Sequence, residues 1–153
     1  MQFFQLEREQ QLPITREMAW DFFSDPRNLP QITPPSLGLR ITSSMPEEIY
    51  AGMLISYQVS PFSFWQTNWL TEITHVDQGN FFVDEQRLGP YRFWHHQHHF
   101  IANTDGILAR DQVTYALPYP PFGNLVAGVV ARELKKIFDF RRQALETLFC
   151  FKG

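Results

Sequence analysis

Residues 82–100 read FVDEQRLGPYRFWHHQHHF. Gly89-Pro90 marks a turn, because glycine frees the backbone there and proline removes a donor. Beyond it, Trp94, His96, His98 and Phe100 alternate with His95, Gln97 and His99. Side chains two apart share one face of a strand, so two imidazoles and two aromatic rings stand side by side. Asp105-Gly106 marks the next turn. Pairing Ala102 with Ile107 sets His98 opposite Asp111, His96 opposite Val113 and Trp94 opposite Tyr115. On that last strand Ile107, Ala109, Asp111, Val113 and Tyr115 form the more apolar parity. Leu108, Arg110, Gln112 and Thr114 form the polar one. The buried, concave face is therefore predicted to carry Trp94, His96, His98, Phe100, Asp111 and Tyr115. Two imidazoles, a carboxylate and a phenol among aromatic rings are costly unless they pair. His98–Asp111 is the expected pair, with the carboxylate favouring imidazolium and burial opposing charge on either group.

The strand before the turn has two registers. A five-residue loop at 87–91 puts Phe82, Asp84 and Gln86 on the face of Trp94 and His96. A four-residue loop puts Val83, Glu85 and Arg87 there. Periodicity alone does not choose between them.

Period-two patterning extends outward in both directions. Strands are predicted near 37–43, 48–59, 63–76, 80–87, 92–102 and 107–116, joined by short turns as an antiparallel meander. Residues 2–12 alternate as one more strand, with Phe4, Leu6 and Leu12 on one parity. Pro13 and Thr15 open a helix in which Met18, Ala19, Phe22 and Phe23 give i, i+4 apolar pairs. A second short helix fits 26–32, ended by Thr33-Pro34-Pro35. Residues 122–149 suit one long helix with Val130, Leu134, Ile137, Leu145 and Leu148 along one stripe. Arg141 falls inside that stripe, where a guanidinium needs an anion: Asp84, Asp111 or a ligand carboxylate. This order predicts an α+β fold, a curved antiparallel sheet of about seven strands wrapped around a long C-terminal helix, with two short helices after strand 1. A sheet curled around a helix without closing leaves room for a small molecule between them.

Composition bounds the partners. The chain has 153 residues, the size of a single domain over 1–153. With 44% hydrophobic and 19% charged residues it has enough apolar area for a core. A net charge of -3 gives no basic footprint for nucleic acid, so no such partner is expected. One cysteine excludes an internal disulfide. No apolar run reaches the length of a membrane span, so no integral membrane segment is expected. The start MQFFQLEREQQL is charged almost at once and does not read as a signal peptide, which makes the cytoplasm the expected address. No serine-nucleophile elbow, phosphate-cradling glycine loop or dinucleotide fingerprint is present.

The quoted stretch, followed by DQVTYALPYPPFG and KKIFDFRR, resembles the SRPBCC (START/pollen-allergen-like) helix-grip superfamily over nearly the whole chain. Within it the sequence is similar to bacterial ligand-binding proteins of the cell division inhibitor and polyketide cyclase-like kind. The motif of that group continues upstream as F-x-D-x-Q, which matches Phe82, Asp84 and Gln86 and favours the five-residue loop. The resemblance implies a deep cavity holding an apolar molecule. Its mouth is expected where loops 60–63, 87–91 and 118–123 cluster, with Phe62, Phe64, Tyr119 and Phe122 as rim candidates.

The candidate ligand-binding set is Trp69, Asp84, Gln86, Trp94, His96, His98, Phe100, Asp111, Val113, Tyr115, Leu134, Ile137, Phe138 and Arg141. The expected partner is a hydrophobic small molecule: a lipid, an aromatic or a polyketide-like compound. Two further uses fit the same residues. A His–Asp pair with a tyrosine suits acid–base chemistry, as in a cyclase, dehydratase or hydrolase. The Pro/aromatic loops suit a protein-interaction module. The imidazole cluster also fits a purely structural network that fixes strand register. The His-x-His spacing would suit a metal if Asp84, Asp111 or His75 supplied a third ligand. No catalytic residue, metal or cofactor is assigned.

Overall fold

Alternation sets the first strand, β1 (Phe4–Leu12), with every second residue turned inward until Leu12 is fully buried. The computed structural model describes residues 1–62, 65–120 and 122–150, apart from the side chains of 61, 62 and 122. Thr15 caps helix α1 (Arg16–Phe23) by accepting from the Met18 amide. Residues Pro26–Ile32 form a 3₁₀ helix, opened by the Asp25 side chain accepting from the Arg27 amide. The meander follows as β2 (Arg40–Ile41), β3 (Met53–Phe62), β4 (Trp65–Asp77), β5 (Phe81–Leu88), β6 (Phe93–Asn103) and β7 (Gly106–Ala116). Its order is β1-β7-β6-β5-β4-β3-β2, all antiparallel, so the first strand closes onto the last. The chain ends in a short helix α2 (Phe122–Leu125) and the long helix α3 (Ala127–Phe149). This is the α+β arrangement expected from the order of elements. None of the described helices is long and apolar enough to cross a membrane.

Four local expectations need correction. The strand expected at 37–43 shrinks to two residues, because Pro35–Leu37 makes a 3₁₀ turn and Gly38 follows with φ of 55°. The strand expected from 48 starts only at Met53, since Gly52 at φ of 94° turns the chain. Pro61 does not end it. The strand runs on to Phe62 through a register shift after Val59, the irregularity a residue without an N–H imposes on a ladder. The last helix is two pieces, interrupted at Val126. Its inner stripe is Leu134, Phe138, Arg141 and Leu145, while Leu148 turns outward, as does Met18 in α1.

Two packed regions result. Leu12, Ile55, Ile73, Phe82, Phe100 and Leu145 join α1 to the middle strands, with Trp20 edge-on to Phe82 and Phe100. Trp94, Val113, Tyr115, Leu134 and Phe138 form the second region under the start of α3. Three polar contacts tie α3 to β1. Arg8 pairs with Asp139 at 2.8 Å, Gln10 donates to the Arg142 carbonyl, and Arg142 donates to the Glu9 carbonyl. The helix is thus anchored along one edge of the sheet and lies over its concave face.

The β6–β7 turn depends on Gly106. Its φ is 130°, and a Cβ there would stand 2.2 Å from the Leu12 carbonyl oxygen. Gly128, inside α3, has open space around its Cβ position. Urea unfolding should therefore show Gly106→Ala destabilising the protein by about 1–3 kcal/mol or more, and Gly128→Ala stabilising it by about 0.5–1 kcal/mol.

Candidate functional site

The β6–β7 register is the one the turn predicts: Trp94 faces Tyr115, His96 faces Val113 and His98 faces Asp111. On the other side of β6, Phe82 lies opposite His98 and Asp84 opposite His96. The Phe82, Asp84 and Gln86 parity therefore shares the face of the two histidines. Three adjacent strands place two carboxylates and two imidazoles in one patch.

The pairing within that patch differs from the expected His98–Asp111 couple. His98 Nε2 donates to Asp84 Oδ2 at 2.5 Å, and His96 Nε2 donates to Asp111 Oδ1 at 2.8 Å. The direct cross-strand contacts are longer: His98 Nδ1 to Asp111 at 3.4 Å and His96 Nδ1 to Asp84 at 3.7 Å. The reason is reach. Nε2 lies at the far end of the ring and extends diagonally to the next residue pair, whereas Nδ1 sits near its own strand. The rings stack at 3.7 Å between centroids, and Phe82 covers the other face of His98 at 4.2 Å. Arg141 lies 3.4 Å from Asp111, with its guanidinium also near the Phe23 and Phe138 rings.

The environment splits the titrations. Burial pushes the Asp111 carboxyl up, but the Arg141 charge and the two imidazoles outweigh it and hold Asp111 well below the ordinary range. Burial likewise opposes ionisation of Asp84, and its bond from His98 with the nearby positive charges lowers it nonetheless. Both carboxylates are thus acceptors, so each paired Nε2 carries a hydrogen. Burial disfavours the charged form of His98, yet attraction to both carboxylates raises it above the ordinary histidine value. Burial and the neighbouring His98 charge hold His96 below that value despite Asp111. Near the ordinary histidine value, therefore, His98 is the more protonated ring and His96 the more neutral one. Tyr57 on β3 is raised above the usual phenol range by burial and by Asp84.

A cavity of about 240 Å³ lies between the concave sheet, the Pro26–Ile32 helix and α3. Of the fourteen sequence-derived candidates, Trp69, Asp84, Trp94, His96, His98, Leu134, Ile137, Phe138 and Arg141 line it. The other five stand elsewhere. Gln86 clamps the β5–β6 turn, donating to the Tyr91 carbonyl and accepting from the Tyr91 amide. Phe100 packs among Trp20, Phe23 and Phe82. Val113 and Tyr115 are buried in the second packed region. Asp111 sits behind the histidines, beside a small void of about 20 Å³ toward β1 and α3. His75 is exposed on β4 and hydrogen-bonds Thr74.

The wall contains further residues absent from the sequence-derived set: Phe23, Leu29, Ile32, Leu39, Ile55, Tyr57 and Tyr91 among them. For Ile55 and Tyr57 the period-two parity of β3 was a usable signal. The 3₁₀ segment offers none, because its short irregular turns have no face that sequence can assign. Among the rim candidates Tyr119 is exposed; Ser63, Phe64 and Pro121 lie outside the described residues, as do the side chains of Phe62 and Phe122.

No protein-family model and no curated protein matches the chain. Solved structures do. TTHA0849 from Thermus thermophilus is 18% identical, with 95% of each chain covered and a TM-score of 0.64. Ara h 8.0201 is 14% identical over 95% of this chain and 99% of its own, with a TM-score of 0.62. Truncated norcoclaurine synthase from Thalictrum flavum is 15% identical over 98% and 96%, with a TM-score of 0.67. That synthase has also been solved in complex with dopamine and hydroxybenzaldehyde. The shared architecture is the helix-grip fold expected from the sequence, a curved antiparallel sheet around a long C-terminal helix.

The two imidazoles should titrate on opposite sides of the ordinary histidine value, about 6.5. Facing them are Asp84 from β5, Asp111 from β7, Arg141 from α3 and Tyr57 from β3. Ring nitrogen NMR against pH should show His98 losing its proton above that value and His96 gaining one below it. The linkage has a sign. Stability from the His98 proton is complete below about pH 6.5 and is lost as pH rises through the raised native pKa. Wild type should therefore exceed His98→Gln most at the acid end of that window, with the gap narrowing at higher pH.

Proposed function

We propose that this protein binds a hydrophobic small molecule (lipid, aromatic or polyketide-like) between the sheet and α3, with the histidine–aspartate–arginine cluster meeting one polar end. One observation carries this: a cavity with a largely apolar wall in which Asp84, His96, His98 and Arg141 gather on one side, with Ser24, Asp25, Asn28 and Thr33 also in the lining. That is the lining pattern of a small-molecule site, with apolar contact for affinity and a few convergent polar groups for orientation. Norcoclaurine synthase, solved with two aromatic molecules, supports the reading through its shared fold.

The charge of the cluster narrows the polar end. Two carboxylates face Arg141 and His98, the ring that holds its proton more tightly, while His96 holds its own less tightly. With His98 protonated and His96 neutral, the sum is zero. A carboxylate on the ligand would bring an uncompensated charge into a buried site, which is costly. A hydroxyl, phenol or carbonyl needs no countercharge.

A second reading has its own observation. Asp111 accepts from His96 Nε2, which leaves the His96 Nδ1 lone pair available, and His96 lines the cavity. A neutral imidazole oriented by a buried carboxylate is a general base, the core of a cyclase, dehydratase or hydrolase.

Titration calorimetry with 2-naphthol and 2-naphthoate at pH 7 tests the binding reading. We expect one saturable 2-naphthol site per chain and 2-naphthoate at least about tenfold weaker, a difference of ~1.4 kcal/mol. Ile137→Trp, which fills the cavity, should weaken 2-naphthol by about tenfold or more. Absence of saturation by either compound, or preference for the carboxylate, would contradict the proposal.

A further inference from the structure

The cluster has two sides. Asp84 lines the cavity, and its Oδ2 faces His98 Nε2 at 2.5 Å and His96 Nδ1 at 3.7 Å. Asp111 lies behind, and its Oδ1 faces the opposite nitrogen of each ring: His96 Nε2 at 2.8 Å and His98 Nδ1 at 3.4 Å. We propose that Asp84, His96 and His98 bind a divalent transition-metal ion of the zinc class at the cavity wall, with Asp111 as the outer carboxylate of both rings. This goes beyond the apolar-ligand reading and does not depend on it.

Four features of the site bear on this. The donor set is two imidazoles and one carboxylate, whose ligand atoms lie within 4.8 Å of one another. Bonds of about 2.0–2.1 Å in tetrahedral geometry put neighbouring ligand atoms about 3.3 Å apart. The two separations from Asp84, 2.5 and 3.7 Å, bracket that figure, and the whole set lies within 4.8 Å, so side-chain adjustments of about 1–1.5 Å would seat an ion. It would take the place of the proton between His98 and Asp84.

Next is the tautomer. A ligating histidine needs its other ring nitrogen protonated and held by an acceptor, most often a carboxylate or carbonyl. Asp111 already holds the His96 Nε2 hydrogen, which directs Nδ1 toward Asp84. His98 Nδ1 faces the same oxygen, leaving Nε2 for the ion.

His98 Nδ1 also supplies an observation independent of the ligand count. The residue is 7% exposed, and among the described residues that nitrogen has no hydrogen-bond partner. A buried donor without a partner is expensive. In the metal-bound arrangement it becomes the outer-carboxylate donor, and a small shift from 3.4 Å completes the bond.

The charge is only partly matched. With both rings neutral, Asp84 offsets one of the ion's two charges, while Asp111 and Arg141 offset each other, so one positive charge is left for the ion's remaining ligand. Three protein ligands leave a fourth position, and it faces the cavity. A hydroxyl or carbonyl of a bound molecule, or water, fits there.

The test uses chelator-treated full-length protein and zinc alone, followed by cobalt(II) as a visible probe. We expect one zinc per chain, a tetrahedral cobalt spectrum without a thiolate band, and ring-nitrogen NMR showing coordination through His96 Nδ1 and His98 Nε2. His98→Ala and Asp84→Asn should each weaken zinc by at least about a hundredfold, and Asp111→Asn by about 10–100-fold. The double variant His95→Gln with His99→Gln, on the outward face of β6, should bind as wild type. Should His98→Ala misfold, the NMR assignment on unaltered protein decides. Affinity weaker than about 1 mM, or binding lost in the outward-face variant and kept in His98→Ala, overturns the proposal. Zinc binding by a protein that takes up no 2-naphthol would leave this inference standing and refute the preceding one.

Discussion

Two buried imidazoles meet two mostly buried carboxylates across β5, β6 and β7, and each hydrogen bond runs diagonally from one strand to the next. The rest of the site follows from that crossing. A buried charge is tolerated only when paired and hydrogen-bonded, so His98 with Asp84 and His96 with Asp111 must form together with the strand register. A slip of one residue on β6 would turn both rings outward, leaving Asp84 inside without its histidine and Asp111 with Arg141 alone. The polar cluster thus works against the alternative registers of a sheet that is otherwise held by apolar packing.

The crossing also separates two roles. Asp84, both rings and Arg141 line the cavity, while Asp111 stands behind the rings. Asp111 sets tautomer and orientation, and the front groups meet whatever enters. His98 holds a proton more tightly than an ordinary histidine and His96 less tightly. That difference lets one patch offer both a donor and an acceptor to a neutral polar group. It also explains why the same residues suit a ligand, a general base or an ion without any change of fold.

Much of this was legible in the residues. The Asp105-Gly106 turn fixed the β6–β7 pairs, because a short hairpin leaves little freedom of register. Trp94, His96 and His98 were readable as inward because period two is unambiguous on a strand with one apolar face. The β5 parity was not decided by periodicity; it needed the F-x-D-x-Q resemblance. The diagonal partners were not legible either. Pairing rules give which backbones are opposite, and the length of an imidazole decides which carboxylate it reaches. The cavity wall was read only in part. Helix α3 and the strands announce their faces, but the Pro26–Ile32 segment, with Pro30 inside it, has no regular period. Leu29 and Ile32 were therefore missed. The break at Val126 has no proline or glycine of its own to signal it.

A double-mutant cycle on stability between Asp84 and His98, using Asp84→Asn and His98→Gln at about pH 6, tests the crossed pairing most directly. The account predicts that the two substitutions are non-additive by about 1–3 kcal/mol, with a smaller coupling between Asp111 and His98 measured in the same way. Additivity within about 0.5 kcal/mol for Asp84 and His98, or the larger coupling in the Asp111 cycle, would contradict it.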